Sequence, residues 1–435
     1  MIVKKQIQIK SAKIMQTSTI ILMLVGIVAV LTAVVVVLLW LMHRKDEDIK
    51  QKNDVIIHEV RRNQTLIDKA VQNGVNRAAL LSWMLAAMMT AMSVQAQKIQ
   101  TVDKDGQPIP YASIFTEAGD IIGTTGLDGI LDDVKGAEVV SITHVAYKSK
   151  KVKVGQGGRV TLEDADFDLP EITVTKKPLV YVQTYYRMVY QNDDPEMPVY
   201  YYRAGVLNNS YEKKTKKVSS DEDHFSACNI GILKTTVNTL LNARIKQMAN
   251  LKMGTIETRM KQKYKEIGLS FVPDGPGKQR ITDKFGTVGS VTDNQGKGER
   301  RYSYDSHLLS QHKIQVTGSD KKKAKADKRE ERKKNRKDLD FTVYRIDEDG
   351  NYAPEDFVMQ QDATSYDDEK HKDHTNIMIQ VFTVDRAYVT KDELKQLKKE
   401  KKMKMTYQNL QQLERSHNIP ALPAELQKRI NEIVK

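Results

Sequence analysis

His371 and His374 stand three residues apart among Asp367, Asp368, Glu369 and Asp373. Imidazole and carboxylate are donors that divalent metals take, and a pair at this spacing can seat an ion from one helical face. No motif supplies a third ligand, so a solvated charged loop is the competing reading, and no metal or cofactor is expected. A second concentration of chemistry lies upstream. Tyr185-Tyr186-Arg187 and Tyr201-Tyr202-Arg203 repeat one triplet, with Tyr181, Tyr190 and Tyr200 close by. Aromatic rings beside guanidinium groups suit stacking on sugars or a cation–π pair, which makes these six residues a candidate binding surface. Half-buried strand tyrosines with wet hydroxyls are the alternative. Cys228 is the single cysteine, so no disulfide forms within the chain, and a small buried residue is the plain reading of it. His-Glu-x-x-His, Gly-x-Ser-x-Gly and Gly-x-x-x-x-Gly-Lys-Ser/Thr are all missing from the sequence. No catalytic residue is therefore assigned, and a protein that is not an enzyme is expected.

The elements that must carry these residues begin with two apolar stretches. Residues 20–42 hold no charge, and at about 1.5 Å per residue they are long enough to cross a hydrocarbon layer about 30 Å thick. Lys4, Lys5, Lys10 and Lys13 precede this stretch, while Arg44, Lys45, Lys50, Lys52, Arg61, Arg62, Lys69 and Arg77 follow it. The larger positive group predicts that the connector stays inside. Residues 78–96 form a second apolar run, preceded by Arg77 and ending Val94-Gln95-Ala96, which has the pattern of a signal peptide. Everything from about residue 97 is then exported. An alternative is that the first ~75 residues are a fused neighbour or an over-long reading of the gene. Between the two runs, residues 46–73 repeat apolar positions at four- and three-residue steps. That predicts a helix lying on the membrane or a short coiled coil.

The formal net charge is +13, and much of it sits in residues 321–337, where Asp327, Glu330 and Glu331 are the only acids in a stretch rich in Lys and Arg. No aromatic residue interleaves, so nucleic acid is not expected as a partner. The run suits an anionic surface such as lipid headgroups or an acidic polysaccharide, or another envelope protein; a solvated helix or loop between strands is the plainer reading.

From residue 98 the apolar period falls to two, and turn signals come quickly: Asp103-Lys104-Asp105-Gly106, then Gly126-Leu127-Asp128-Gly129. Six or seven short strands in a small antiparallel sandwich are predicted, with Gly106, Gly123, Gly126 and Gly129 at turns needing positive φ. Asp103, Asp105 and Asp128 suit turns that bond their own backbone, with a calcium site as the alternative. Residues 103–112, reading Asp-Lys-Asp-Gly-Gln-Pro-Ile-Pro-Tyr-Ala, resemble the opening of the carboxypeptidase regulatory-like domain. Gly123-Thr124-Thr125 with Asp128-Gly129, His144-Val145-Ala146-Tyr147, and the segment 168–175 are similar to its later motifs, in the same order. The last of these resembles the segment that ends this domain in starch-utilisation-type outer-membrane transporters. The resemblance covers about residues 98–175 and implies a prealbumin-like β-sandwich without catalytic residues, in a bacterial envelope setting. No transporter barrel follows, because the remaining residues lack the repeated alternation a barrel needs.

The fold class expected is therefore mixed. It comprises N-terminal transmembrane and signal helices, an all-β prealbumin-like sandwich, then an α+β domain with an antiparallel sheet. The corresponding divisions are 1–45, 46–77, 78–96, 97–176, 177–390 with a basic insertion at 320–338, and C-terminal helices at 391–435. Within the last two, residues 180–190 and 199–207 predict tyrosine-rich strands, and 232–253 a helix followed by a second to about 267. Residues 273–301 read as loop and turn, 341–346 and 377–389 as strands. Thr390-Lys391-Asp392-Glu393 reads as a capping box, and 424–434 as an amphipathic helix. A curved sheet with helices on one face is expected. The functional expectation is a non-enzymatic cell-envelope protein for binding or assembly, held to membrane lipid by its N-terminal segment. A glycan- or peptide-directed hydrolase with its site in 177–390, and an accessory subunit of an outer-membrane transporter, are the alternatives.

Overall fold

Seven short strands form the first layer: β1 (Ile99–Val102), β2 (Ser113–Thr116), β3 (Ile121–Thr124), β4 (Ile130–Leu131), β5 (Val139–His144), β6 (Tyr147–Lys153) and β7 (Arg159–Thr161). The structure is a computed structural model that describes residues 98–134, 136–154, 158–194, 196–215, 217–249, 255–401 and 405–434. It divides into two units, Met1–Gln95 and Ala96–Lys435, and the description concerns the second. The expected span at 20–42, the helix at 46–73 and the leader at 78–96 lie outside the described residues. Among the described residues no helix is long and apolar enough to cross a membrane.

The seven strands make two sheets, ordered β4-β1-β7 and β3-β2-β5-β6. Every pairing is antiparallel except β1 with β7, which corrects the expected wholly antiparallel sandwich. After β6 the chain leaves its sheet and enters the other beside β1, in the same direction. Asp103 Oδ1 accepts the Asp105 and Gln107 amides at 2.9 and 2.8 Å, and Asp128 Oδ1 accepts that of Ile130 at 3.0 Å. Two of the aspartates thus serve their own turns. Gly106 and Gly129 take φ of +76° and +71°; Gly123 and Gly126 lie outside the left-handed region, contrary to expectation.

The second layer is one ten-stranded antiparallel sheet. Its strands are β8 (Leu179–Asn192), β9 (Val199–Glu212), β10 (Val218–Cys228), β11 (Ser270–Pro273), β12 (Lys278–Asp283), β13 (Gly286–Asn294), β14 (Glu299–Asp305), β15 (Lys333–Arg345), β16 (Phe357–Asp368) and β17 (Asp373–Val389). The order β10-β9-β8-β17-β16-β15-β14-β13-β12-β11 joins two meanders, and β8 pairs with β17 over Leu179–Asn192 to make the join. The helices are α1 (Lys234–Ala249), α2 (Ile256–Lys263), α3 (Ser306–Thr317), α4 (Asp320–Arg332), α5 (Lys391–Glu400), α6 (Tyr407–Ser416) and α7 (Ala424–Val434). Thr390 caps α5 as expected: its Oγ1 accepts the Glu393 amide at 3.3 Å, and Glu393 Oε2 accepts the Thr390 amide at 2.7 Å.

Two expectations fail here. The stretch 273–301 is not loop but contains β12, β13 and the start of β14. Its few inward residues, Ile281, Val288 and Val291, are separated by glycines and polar groups that pattern reading takes for turns. Gly289 is a strand residue; a Cβ there would run into the Ser303 carbonyl oxygen. The sheet also carries helices on both faces, not one. On one face Tyr185, Val189, Tyr202, Phe341 and Phe382 pack with the sandwich and with Leu410, Leu413, Leu426 and Ile430 of α6 and α7. On the other, Tyr186, Met188, Tyr201, Ile379 and Val381 pack with Val237, Ile256, Met260 and Leu309 of α1, α2 and α3. A strand alternates faces residue by residue, so a sheet covered on both sides needs apolar side chains in both phases.

Candidate functional site

The two Tyr-Tyr-Arg triplets sit on neighbouring antiparallel strands, where Arg187 pairs with Ala204 and Met188 with Arg203. That register offsets the triplets by one residue. The arginines therefore leave the sheet on opposite faces, although their sequences match. All six side chains are buried, at 0–3% exposure. As an open surface for sugar stacking, the expected role of Tyr185, Tyr186, Arg187, Tyr201, Tyr202 and Arg203 is corrected by that burial. Long strands in the middle of a sheet covered on both faces keep their tyrosines inside.

Arg187 uses its whole fork. Nε donates to Gln380 Oε1 at 2.8 Å, Nη1 to Glu414 Oε1 at 3.0 Å, and Nη2 to the Pro420 carbonyl at 2.7 Å. The Tyr185 hydroxyl donates to the same Glu414 oxygen at 2.6 Å. Glu414 belongs to α6, and Pro420 follows it, so one guanidinium holds the C-terminal segment to the sheet. The network continues in register across three strands. Gln380 Nε2 donates to Gln361 Oε1 at 2.8 Å, and Gln361 Nε2 to the Tyr111 carbonyl at 2.5 Å. The Val145 amide donates to Gln361 Oε1 at 3.0 Å. A buried polar line thus runs from the C-terminal helices through β8, β17 and β16 into the sandwich. Tyr111, at φ +65°, is a bulky residue in the left-handed region, held there by this contact and by its amide bond to the Thr125 carbonyl.

Other bonds fasten the same joint. Gln191 Oε1 accepts the Ile121 amide at 2.7 Å, Asn376 Nδ2 donates to the Ile121 carbonyl at 3.1 Å, and the Tyr200 hydroxyl donates to the Gly119 carbonyl at 2.5 Å. Arg301 Nη1 donates to the Tyr147 hydroxyl at 2.7 Å. His144, fully buried, lies against Phe341 with ring centroids 4.5 Å apart. Its Nδ1 accepts the Ala146 amide at 3.2 Å. Burial pushes its imidazole down to about 3, and the nearby Arg301 charge works in the same direction.

Arg203 builds a different cluster on the opposite face, at the β10 edge. Nε donates to the Tyr186 hydroxyl at 2.8 Å, Nη1 to Asn238 Oδ1 at 3.3 Å, and Nη2 to Glu222. Tyr186 in turn donates to Glu222 Oε1 at 2.6 Å, and Tyr201 donates to Asn238. Burial pushes the Glu222 carboxyl up, but the Tyr186 hydroxyl and the Arg203 charge outweigh it and hold the group below its ordinary value. Burial, then Arg203, push His224 down. Glu222 remains an acceptor, His224 favours its neutral form, and each serves the packing around Arg203.

His371 and His374 are not on a helix. His371 lies in the hairpin turn between β16 and β17, and His374 on β17 itself. His374 Nδ1 meets Asp367 Oδ1 at 2.5 Å and its Nε2 meets Asn376 Oδ1 at 3.3 Å, while His371 Nδ1 lies 3.5 Å from Asp368. The imidazoles are engaged separately, and among the described residues no group of three metal donors is assembled. A groove of about 660 Å³ runs between the sandwich and the stretch from Asn418 to Glu425, lined also by Lys148, Lys150 and Lys151; of the six expected site residues none lines it. The residues that sequence reasoning missed are Gln361, Gln380 and Glu414. Each is an ordinary polar residue whose role appears only once three strands are in register.

The geometry defines a sandwich bonded to one face of a large antiparallel sheet, with its notable polar groups spent on internal links. No protein-family model matches the chain, and no curated protein is detectably similar to it.

Proposed function

We propose that the chain is a non-enzymatic bacterial cell-envelope protein, exported through its N-terminal apolar segments, that serves binding or assembly. In this reading residues 97–176 are a carboxypeptidase regulatory-like domain, and the α+β part that follows supplies the larger platform. The observation that carries it is the use made of Arg187, Gln380 and Gln361. Groups that a catalytic or sugar-binding protein would present to a ligand are here bonded to backbone and to each other across the joint. Such a body holds a fixed shape for a partner. The seven-strand sandwich and the Asx turns at Asp103 and Asp128 agree with the motif resemblance.

Sequencing the N-terminus of the mature protein from fractionated envelope tests the reading. A chain beginning at Gln97, or one retained in the membrane with its large part protease-accessible from outside, is expected. Recovery from the cytosol of a chain still beginning at Met1 overturns it.

A further inference from the structure

The basic run divides into two halves with different fates. Its strand half, at the start of β15, is partly paired within the fold. Lys334 pairs with Glu369 at 3.0 Å, Arg336 with Asp338 at 2.7 Å, and Lys333 lies over the Tyr366 ring at 3.8 Å. Its helix half is α4, which buries no residue. Among the described residues, Lys321, Lys322, Lys325, Lys328 and Arg329 take no carboxylate partner; Arg332 reaches Asp368 at 3.3 Å while staying half exposed. Spacing sorts the helix. Lys321, Lys325, Lys328 and Arg332 recur at i, i+4, i+7 and i+11, so they share one face, flanked by Lys322 and Arg329. Glu330 points the other way, toward α3, where it meets His307 at 3.1 Å and Gln311 at 3.0 Å. Asp320, Asp327 and Glu331 gather on a third side by the same periodicity.

We propose that this cationic face of α4 docks on the phosphate headgroups of an anionic bilayer. A row of four cations about 16 Å long on a straight helix matches a flat field of phosphates. Four of the six cations are lysines, point charges suited to many phosphates without fixed geometry. The helix carries only Ala324 and Ala326 as apolar residues, so it rests on the headgroups without inserting. The helix itself carries no aromatic residue, so the row lacks the stacking that a sugar chain or a nucleobase would use. The proposal rests on the envelope reading only for where such lipid is met.

The test uses the purified full chain in vesicles of phosphatidylcholine with or without phosphatidylglycerol. A dye is attached at Ala324→Cys in a Cys228→Ser background, and energy transfer to headgroup-labelled lipid is read. Transfer is expected to rise with phosphatidylglycerol and to fall in high salt. The fourfold variant K321Q/K325Q/K328Q/R332Q should lose that response, each removed cation weakening the contact about fivefold. Equal transfer in both lipids overturns the proposal, as does a variant that keeps the lipid response. Competition by dextran sulfate in a protein indifferent to phosphatidylglycerol also overturns it and points to a polysaccharide. A cytosolic chain would defeat the export reading while leaving this lipid response measurable.

Discussion

The two faces of the ten-stranded sheet use the same triplet for different purposes. On one face Arg187 binds three acceptors from three parts of the chain, two of them in the C-terminal segment. On the other, Arg203 joins a cluster of side chains beside the edge strand, with Tyr186, Asn238 and Glu222, and only His224 of that cluster is well exposed. Burial of the guanidiniums is alike, at 1% exposure each, but the neighbourhoods differ. A buried acceptor is costly to leave without a donor, and less so when a second donor remains. Composition alone therefore does not say which arginine matters more; the position of its partners does.

The largest effect that could break this comparison comes from Arg187→Met. It takes the donor from Gln380 Oε1 and the Pro420 carbonyl and leaves Glu414 with the Tyr185 hydroxyl and no cation, and about 3–5 kcal/mol of stability should be lost, read from denaturant midpoints. Hydrogen exchange should rise first in α6 and α7. Arg203→Met should cost less, about 1–3 kcal/mol, because Glu222 and Asn238 keep the Tyr186 and Tyr201 hydroxyls as donors, whereas the buried Gln380 oxygen and Pro420 carbonyl lose theirs in Arg187→Met. Equal losses for the two variants would remove the distinction between the faces.

Acid supplies a probe of the first face through His144. His144 is held neutral in the fold, with its imidazole down at about 3 against an ordinary 6.5. The unfolded chain binds the extra proton, so this contribution is whole above pH 6.5 and is lost as pH falls toward 3. The slope is about 1.4 kcal/mol per pH unit at most, and His144→Phe should flatten it in a stability-against-pH series. A slope unchanged by that substitution would place the acid sensitivity elsewhere.

The smallest effects sharpen the contrast within each cluster. Tyr186→Phe removes a group bonded to both Arg203 and Glu222, whereas Tyr185→Phe removes one bond to a carboxylate that Arg187 still holds. The first should cost about 1–2 kcal/mol and the second about 1 kcal/mol, compared in the same denaturant series. The reverse order would mean that Tyr185, not Arg187, fastens Glu414.

Much of the local structure was readable from the sequence. The Asp103 turn, the Thr390 capping box, the strand beginning near Ile377 and the last helix all depend on residues within a few positions of one another. The strands of 273–301 were not readable, because Ile281, Val288 and Val291 are too sparse to set a period among glycines. Nor were the helices on both faces, since a strand apolar in both phases looks the same whatever covers it. His371 and His374 misled for a related reason. Three-residue spacing brings side chains together on a helix, but in a hairpin it separates a turn residue from a strand residue.

By itself the sequence determined turns, caps, four of the ten strands of the central sheet and the pattern of charge along α4, all of them short-range matters. Tertiary structure decided which face each tyrosine and arginine occupies, and which lysines of the basic run find acids. Strand partners set both outcomes. A register one residue different would send Arg187 to the opposite face, and the acid that pairs with Lys334 lies on the neighbouring hairpin, brought there only by strand pairing.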